Sequence, residues 1–465
     1  MKLTIIGAGP GGYVAALKAA QLGAQVTVIE DTEVGGTCLN RGCIPTKALV
    51  ASAEALHKAR SLDEYGIDIS GDITPNLAKI IERKNKVISV QVKGIRSLFK
   101  SWGVNLIEGR GMMLTPEKVE VQKKDNTVEI IETDKIIIAT GSRPAQIPIF
   151  PFDGEHIMSS DDAMNVKSIP KSLIIIGAGV IGCEFACIFR ELGTEVTMVE
   201  MVSRAVSTED PEISEVLEKE LKKKKIKLMT GVKVERVEGH KAEQNGGIHV
   251  YLADGKELTA EKLLVSIGRS LNTENIGIEA LGIKKGSRGE IAVNEKMETN
   301  IGGIYAIGDV TGGILLAHMA SKEGIIAAYN ACGIEKKIDY SVVPAAIFTS
   351  PEIGSVGLRE HHAQEKGIKI KTGHFQFRAL GKAHAMGEIS GMFKVVADAD
   401  TDKVLGVHII GAHASDLVHE GALAIKSGLT VRQLADMIHA HPTLAEGLME
   451  AAEDVHGEAI HSPKK

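Results

Sequence analysis

No stretch of this chain is apolar for long enough to cross a bilayer, so a membrane-spanning reading has no support. Charge of one sign is also in short supply: 54 Lys and Arg against 60 Asp and Glu leave a formal net charge of −6 over 465 residues. A surface so nearly balanced argues against nucleic acid as the main partner. The apolar run at residues 3–6 breaks at Gly7, which is too early for a signal peptide, so the N-terminus reads as part of the fold. Cysteine is scarce, with five residues, two of them close together. That usage points to a reducing, cytoplasmic compartment and a catalytic disulfide rather than a stapled framework. No metal site is read from it.

What is present is ordinary globular composition, 44% hydrophobic and 25% charged, in a chain long enough for about two to four domains. Residues 3–6 read as a strand, Gly7-Ala8-Gly9-Pro10-Gly11-Gly12 as a glycine turn, 13–22 as a helix closed by Gly23, and 26–29 as a second strand ending at Glu30. This is a dinucleotide-binding unit. Gly7 allows the tight turn, Gly9 lets backbone approach a pyrophosphate, and Gly12 lets helix and strand pack closely. Glu30 is placed to accept hydrogen bonds from ribose hydroxyls.

A shift of 170 residues lays Gly177, Gly179, Gly182 and Glu200 on Gly7, Gly9, Gly12 and Glu30. Two such units in one chain imply two nucleotides with hydride passing between them. Glu200 would repel a 2′-phosphate and accept a bond from a free 2′-hydroxyl, which favours NAD over NADP. Arg204, a few residues on, reads as a solvated surface arginine.

Between the units lies Gly35-Gly36-Thr37-Cys38-Leu39-Asn40-Arg41-Gly42-Cys43-Ile44-Pro45-Thr46-Lys47. The spacing of Cys38 and Cys43 permits a disulfide without fixing it. Pro45 marks a helix start just after Cys43, so that thiol stands at a helix N-terminus, where the dipole and Lys47 favour the thiolate. The bland alternative is a pair of inert buried cysteines, and the flanking glycines, proline and lysine weigh against it.

Farther on, 135–144 reads as a buried strand ending in a sharp turn at Gly141, and 263–269 echoes it with Gly268. The strand at 304–310 ends in Gly308-Asp309, where the acid either meets ribityl hydroxyls or caps the helix starting near His318. From about residue 340 the pattern becomes α+β without a nucleotide unit, and its tail carries His439-Ala440-His441-Pro442-Thr443-Leu444-Ala445-Glu446. Imidazole titrates where thiol proton transfer requires it, and an acid five residues on can fix its tautomer.

With these pieces together, essentially the whole chain resembles the flavin disulfide reductases of the pyridine nucleotide family, most strongly the members that oxidise protein-bound dihydrolipoamide. The resemblance implies an α/β fold with two Rossmann-like dinucleotide-binding domains and a C-terminal α+β dimerisation domain. Its boundaries are 1–145 for the FAD-binding part, 146–270 for NAD, 271–340 for the second FAD or central part, and 341–465 for the interface.

It further implies FAD on Gly7, Gly9, Gly12, Glu30, Lys47 and Asp309, and NAD on Gly177, Gly179, Gly182 and Glu200, with Gly141 and Gly268 also among the cofactor-binding positions. Glu184 would pair with Lys47 beside the flavin. Cys38 would exchange with substrate and Cys43 face the flavin. His441 would be the acid–base group, oriented by Glu446, both reaching the site from the other subunit of a homodimer.

The expected function is oxidation of dihydrolipoamide with reduction of NAD, serving a lipoyl-bearing protein of a 2-oxo acid dehydrogenase or glycine cleavage complex. The chain opens on the nucleotide unit, so the lipoyl group is expected from another protein. The alternative is a reductase of a glutathione-like disulfide running from NAD(P)H. Glu200 opposes it, as does the lack of a basic cluster for an acidic tripeptide. One departure from the family pattern is Ser270-Leu271-Asn272, where proline is frequent after the Gly-Arg turn.

Overall fold

The computed structural model describes residues 1–239 and 247–463. Its first sheet has seven strands, in the order Ile304–Ala306, Lys135–Ile138, Lys2–Ile6, Gln25–Glu30, Asn105–Thr115, Lys118–Lys123 and Val128–Glu132. The first five run parallel and the last two return as hairpins. Helices cover one face of the parallel strands, and the hairpin 105–123 with residues 276–291 covers the other, which is why Ile5, Ile136, Ile137 and Ile138 are fully buried and read as unbroken apolar runs. The helices Pro10–Gln21 and Ala317–Ala331 cross so closely that a Cβ on Gly324 would stand 2.5 Å from the Gly11 carbonyl oxygen.

The chain leaves this sheet through Ser142–Pro144 and re-enters through Arg269–Leu271, and these two segments pair as an antiparallel ribbon. Between them lies a five-stranded parallel sheet, in the order Lys227–Met229, Glu195–Val199, Ser172–Ile176, Lys262–Val265 and Ile157–Met158. A three-stranded antiparallel sheet, 234–238, 248–252 and 257–260, accompanies it. The C-terminal part is an antiparallel five-stranded sheet, in the order Ala345–Ile347, Glu352–Gly357, Val404–Gly411, Met392–Asp398 and Ile370–Gln376, packed by the helices Ala414–Ser427 and Glu446–Asp454. The α/β architecture with two nucleotide-binding-type sheets and an α+β C-terminal part is therefore present.

One face of that last sheet carries a polar row, His374, Lys394 and His408 in cross-strand register, within strands that are otherwise largely apolar. It docks against the start of the helix Pro211–Lys223. Lys394, 1% exposed, reaches Asp210 at 3.1 Å, Glu212 at 3.1 Å and Glu360 at 2.7 Å, and Arg359 reaches Glu209 at 3.1 Å. Burial pushes the His408 imidazole down to about 4 from an ordinary 6.5, so it is held neutral. The unfolded chain then binds one proton more than the folded chain between those values, and stability falls as pH drops through that window. His408→Gln is expected to remove about 1.4 kcal/mol per pH unit from the acid-side slope, read from urea midpoints at several pH values. Parallel slopes for the two proteins would exclude a neutral His408.

Candidate active site

A short helix, Gly36–Arg41, carries Cys38, and a second, Cys43–Arg60, begins with Cys43. Gly42 between them has an unusual backbone, φ −149° and ψ −113°. A Cβ there would lie 3.0 Å from the Thr37 carbonyl oxygen and 3.3 Å from the Cys38 Cα, so glycine is what lets the two helix ends close on each other. Both cysteines are free thiols and hydrogen-bonded to one another. The bond from Cys38 brings the Cys43 thiol down to about 7, with burial opposing and Lys47 assisting. The same bond, with burial, holds Cys38 protonated far above the ordinary thiol range. A dithiol that ionises on one designated sulfur near neutral pH is equipped for exchange. Alkylation of the reduced protein by iodoacetamide is therefore expected to follow an inflection near pH 7 rather than the ordinary value of about 8.5. An inflection above 8 would exclude the assigned acidity.

One turn into the second helix, the Lys47 ammonium donates to both carboxylate oxygens of Glu184 at 2.8 Å. Glu184 sits on the helix Val180–Leu192 of the second nucleotide unit and is 3% exposed. The pair thus ties the cysteine helix to the neighbouring unit. Phe348, which sequence reasoning missed, completes it: its backbone N–H donates to Glu184 at 2.9 Å and its ring lies 4.4 Å from Lys47 Nζ. The two partners are 164 residues apart and no local pattern announces the contact.

The two glycine turns are alike. Gly7 and Gly177 have φ of +103° and +98°, and a Cβ on Gly12 or Gly182 would overlap the carbonyl of Gly7 or Gly177. The middle glycines differ: a Cβ on Gly9 would meet nothing closer than 3.9 Å, and one on Gly179 nothing within 4 Å. The protein's own packing does not demand glycine there, whereas a pyrophosphate laid on the backbone does. Each middle glycine precedes a helix start that no side chain caps, leaving N–H groups for phosphate.

Glu30 accepts from the backbone N–H of Ala8 at 2.7 Å and of Thr32 at 2.9 Å, and Glu200 from Ala178 at 2.6 Å and Val202 at 2.9 Å. Both carboxylates are aimed by these bonds and keep lone pairs for hydroxyl donors. The residues fit a dinucleotide at each turn. Arg204 is half-buried at the surface and donates to the Ser207 carbonyl at 2.7 Å and the Glu209 carbonyl at 3.2 Å.

Asp309 does not cap the helix Ala317–Ala331, whose N-cap is Leu316 with no side-chain bond. It accepts instead from the Ser142 hydroxyl and lies 3.7 Å from Arg269, which also donates to Ser142. Gly141 and Gly268, both at positive φ with open space around them, begin and end this junction. Neither Ser142 nor Arg269 was singled out from the sequence.

His441 donates from Nδ1 to Glu446 at 2.8 Å, and Glu446 accepts the Thr443 N–H at 2.8 Å. His439 lies against Glu420 at 2.9 Å with its side chain 4% exposed. Among the described residues no hydrogen bond or ion pair joins His441 to Cys38 or Cys43. Its side chain is 77% exposed and directed away from its own chain's core. Leu423, Met437, Ile438 and Ile460 are exposed large apolar side chains of the same C-terminal part.

Residues 1–324 match the pyridine nucleotide-disulphide oxidoreductase model, and residues 343–452 match that family's dimerisation domain. The chain belongs to the pyridine nucleotide-disulphide oxidoreductases. It is 43% identical over 465 residues to the dihydrolipoyl dehydrogenase of Chlamydia muridarum, covering 99% of this chain and 97% of that one. It is 42% identical over 470 residues to the dihydrolipoyl dehydrogenase of Bacillus subtilis, covering 99% and 98%.

Among solved structures it resembles LpdA from Mycobacterium tuberculosis, with a TM-score of 0.90, 30% identity and coverage of 97% and 99%. It also resembles the HOCl-induced flavoprotein disulfide reductase RclA from Escherichia coli, with a TM-score of 0.86, 27% identity and coverage of 97% and 99%. The family uses FAD and NAD(H). No described helix is long and apolar enough to cross a membrane.

Proposed function

We propose that this chain is a dihydrolipoyl dehydrogenase, oxidising protein-bound dihydrolipoamide to lipoamide with reduction of NAD to NADH. The observation that carries the reading is the Cys38–Cys43 dithiol with its ionisation placed on Cys43, beside the Lys47–Glu184 pair, in a chain about 40% identical over its length to proteins of that activity. In the oxidised form the two sulfurs are one disulfide. A substrate thiolate attacks Cys38, Cys43 leaves as thiolate, and the second substrate sulfur displaces Cys38, releasing lipoamide and leaving the dithiol seen here. His441 takes the substrate proton at Nε2 while Glu446 holds Nδ1–H.

FAD, when bound, supplies two-electron transfer between the dithiol and the pyridine nucleotide. Gly7, Gly9, Gly12, Glu30, Lys47, Gly141 and Asp309 would hold it, within segments 1–145 and 271–340. Gly177, Gly179, Gly182 and Glu200 would serve NAD, within 146–270, with Glu184 paired to Lys47 beside the flavin and Gly268 a further cofactor-binding position. Segment 341–465 would form the interface of a homodimer, placing His441 and Glu446 at the partner's cysteines, and its exposed apolar side chains support that assignment. The lipoyl carrier would belong to a cytoplasmic 2-oxo acid dehydrogenase or glycine cleavage complex. Steady-state assay with dihydrolipoamide and NAD, against glutathione disulfide and NADPH, tests the reading. Turnover of the first pair is expected, and turnover of only the second would refute it.

A further inference from the structure

The Lys47 ammonium is gripped from two sides. Glu184 holds it with two bonds of 2.8 Å, and the Phe348 ring centroid lies 4.4 Å from Nζ. The Phe348 backbone N–H also donates to Glu184 at 2.9 Å, so one residue touches both members of the pair. Lys47, Glu184 and Phe348 come from the first sheet's unit, the second nucleotide unit and the C-terminal sheet. Phe348 directly follows the strand Ala345–Ile347, whose pairing to Glu352–Gly357 fixes where the residue sits. Disulfide exchange itself has no use for an aromatic ring at this spot.

We propose that Phe348 is a positioning residue: it holds the Lys47–Glu184 pair in place and thereby links docking of the C-terminal sheet to the charge that faces Cys43. The proposal rests on the reading of Cys38 and Cys43 as the exchanging pair. Lys47 and Glu184 act on the Cys43 thiol in opposite senses, the lysine favouring its thiolate and the glutamate disfavouring it. The balance therefore depends on how far each charge stands from the sulfur. The Glu184 bonds join the lysine to the carboxylate but leave the pair free to shift together on two flexible stems, whereas attraction of the ammonium to a ring face restrains it. A ring supplied by another unit makes that restraint conditional on docking.

The test uses full-length, flavin-containing protein in the reduced state and the pH dependence of iodoacetamide modification at the pair, mapped by peptide mass. Phe348→Leu and Phe348→Met keep the backbone donor and remove the ring, and Phe348→Met nearly preserves volume should the leucine variant not fold. Each is expected to raise the inflection by about half a pH unit. Phe348→Tyr keeps the ring and should titrate with the parent. In a Lys47→Met background, Phe348→Met should add no further shift. An unshifted inflection in Phe348→Met, a Phe348→Tyr shift as large as that of Phe348→Met, or an undiminished shift without Lys47 would each overturn the proposal. Lipoamide turnover is not part of this readout, so a wrong substrate assignment would leave the thiol result standing.

Discussion

Cys38→Ser is expected to lower kcat/KM for dihydrolipoamide by about 10⁴-fold or more while the chain keeps its flavin. Serine nearly matches the thiol in size, and Cys38 is half-buried in a short helix that makes no other demand on its sulfur, so the fold should survive. Chemistry does not survive, because a hydroxyl forms no disulfide with Cys43. Cys43→Ser should be as damaging to turnover and also informative about the remaining thiol. Cys38 is held protonated first by its hydrogen bond to Cys43, then by burial and by the neighbouring charge. With a neutral hydroxyl opposite, the Cys38 ionisation should fall towards that of an ordinary thiol. If it stays high, the sharing of one charge between the two sulfurs is wrong.

His441→Gln is expected to lower kcat by about 10²- to 10⁴-fold, the span usual for loss of a positioned acid–base group. The glutamine amide can still bond to Glu446 but neither takes up nor releases a proton at neutral pH. Glu446→Gln should cost less, because a side-chain oxygen remains to accept the His441 Nδ1–H, while the charge and the bond from the Thr443 N–H are lost. The carboxylate is well fixed for its task, with one oxygen on His441 and the other on the Thr443 N–H. Since no bond joins His441 to the cysteines of its own chain, activity from mixed dimers offers a discriminating check. A dimer of one Cys38→Ser chain and one His441→Gln chain should retain one intact site. Full inactivity of such a mixed dimer would place both groups on one chain.

Much of this site is written locally. The glycine turns are legible because φ near +100° at Gly7 and Gly177 and the close approach at Gly12 and Gly182 admit only glycine. The parallel strands are legible because burial on both faces leaves continuous apolar runs. Long-range contacts are a different matter. Phe348 looks like one more apolar residue at a strand end, and Ser142 like a turn residue, until the fold brings them to Glu184 and Asp309. The carbonyl partners of Arg204 are hidden for the same reason, since they lie in an irregular loop without periodicity. Lys394 did leave a trace: a lysine between Phe393 and Val395 in an apolar strand must be exposed or paired. The structure pairs it with three carboxylates.

The claim beneath all of this is that Cys38 and Cys43 cycle between one disulfide and two thiols while the other three cysteines stay reduced. Alkylation under denaturing conditions, followed by mass measurement, reads this directly in a chain of five cysteines. Protein as isolated should take up label on Cys183, Cys187 and Cys332 alone, and protein first treated with dihydrolipoamide should take it up on all five. Label on Cys38 and Cys43 in the oxidised protein, or protection of any other pair, would contradict the account.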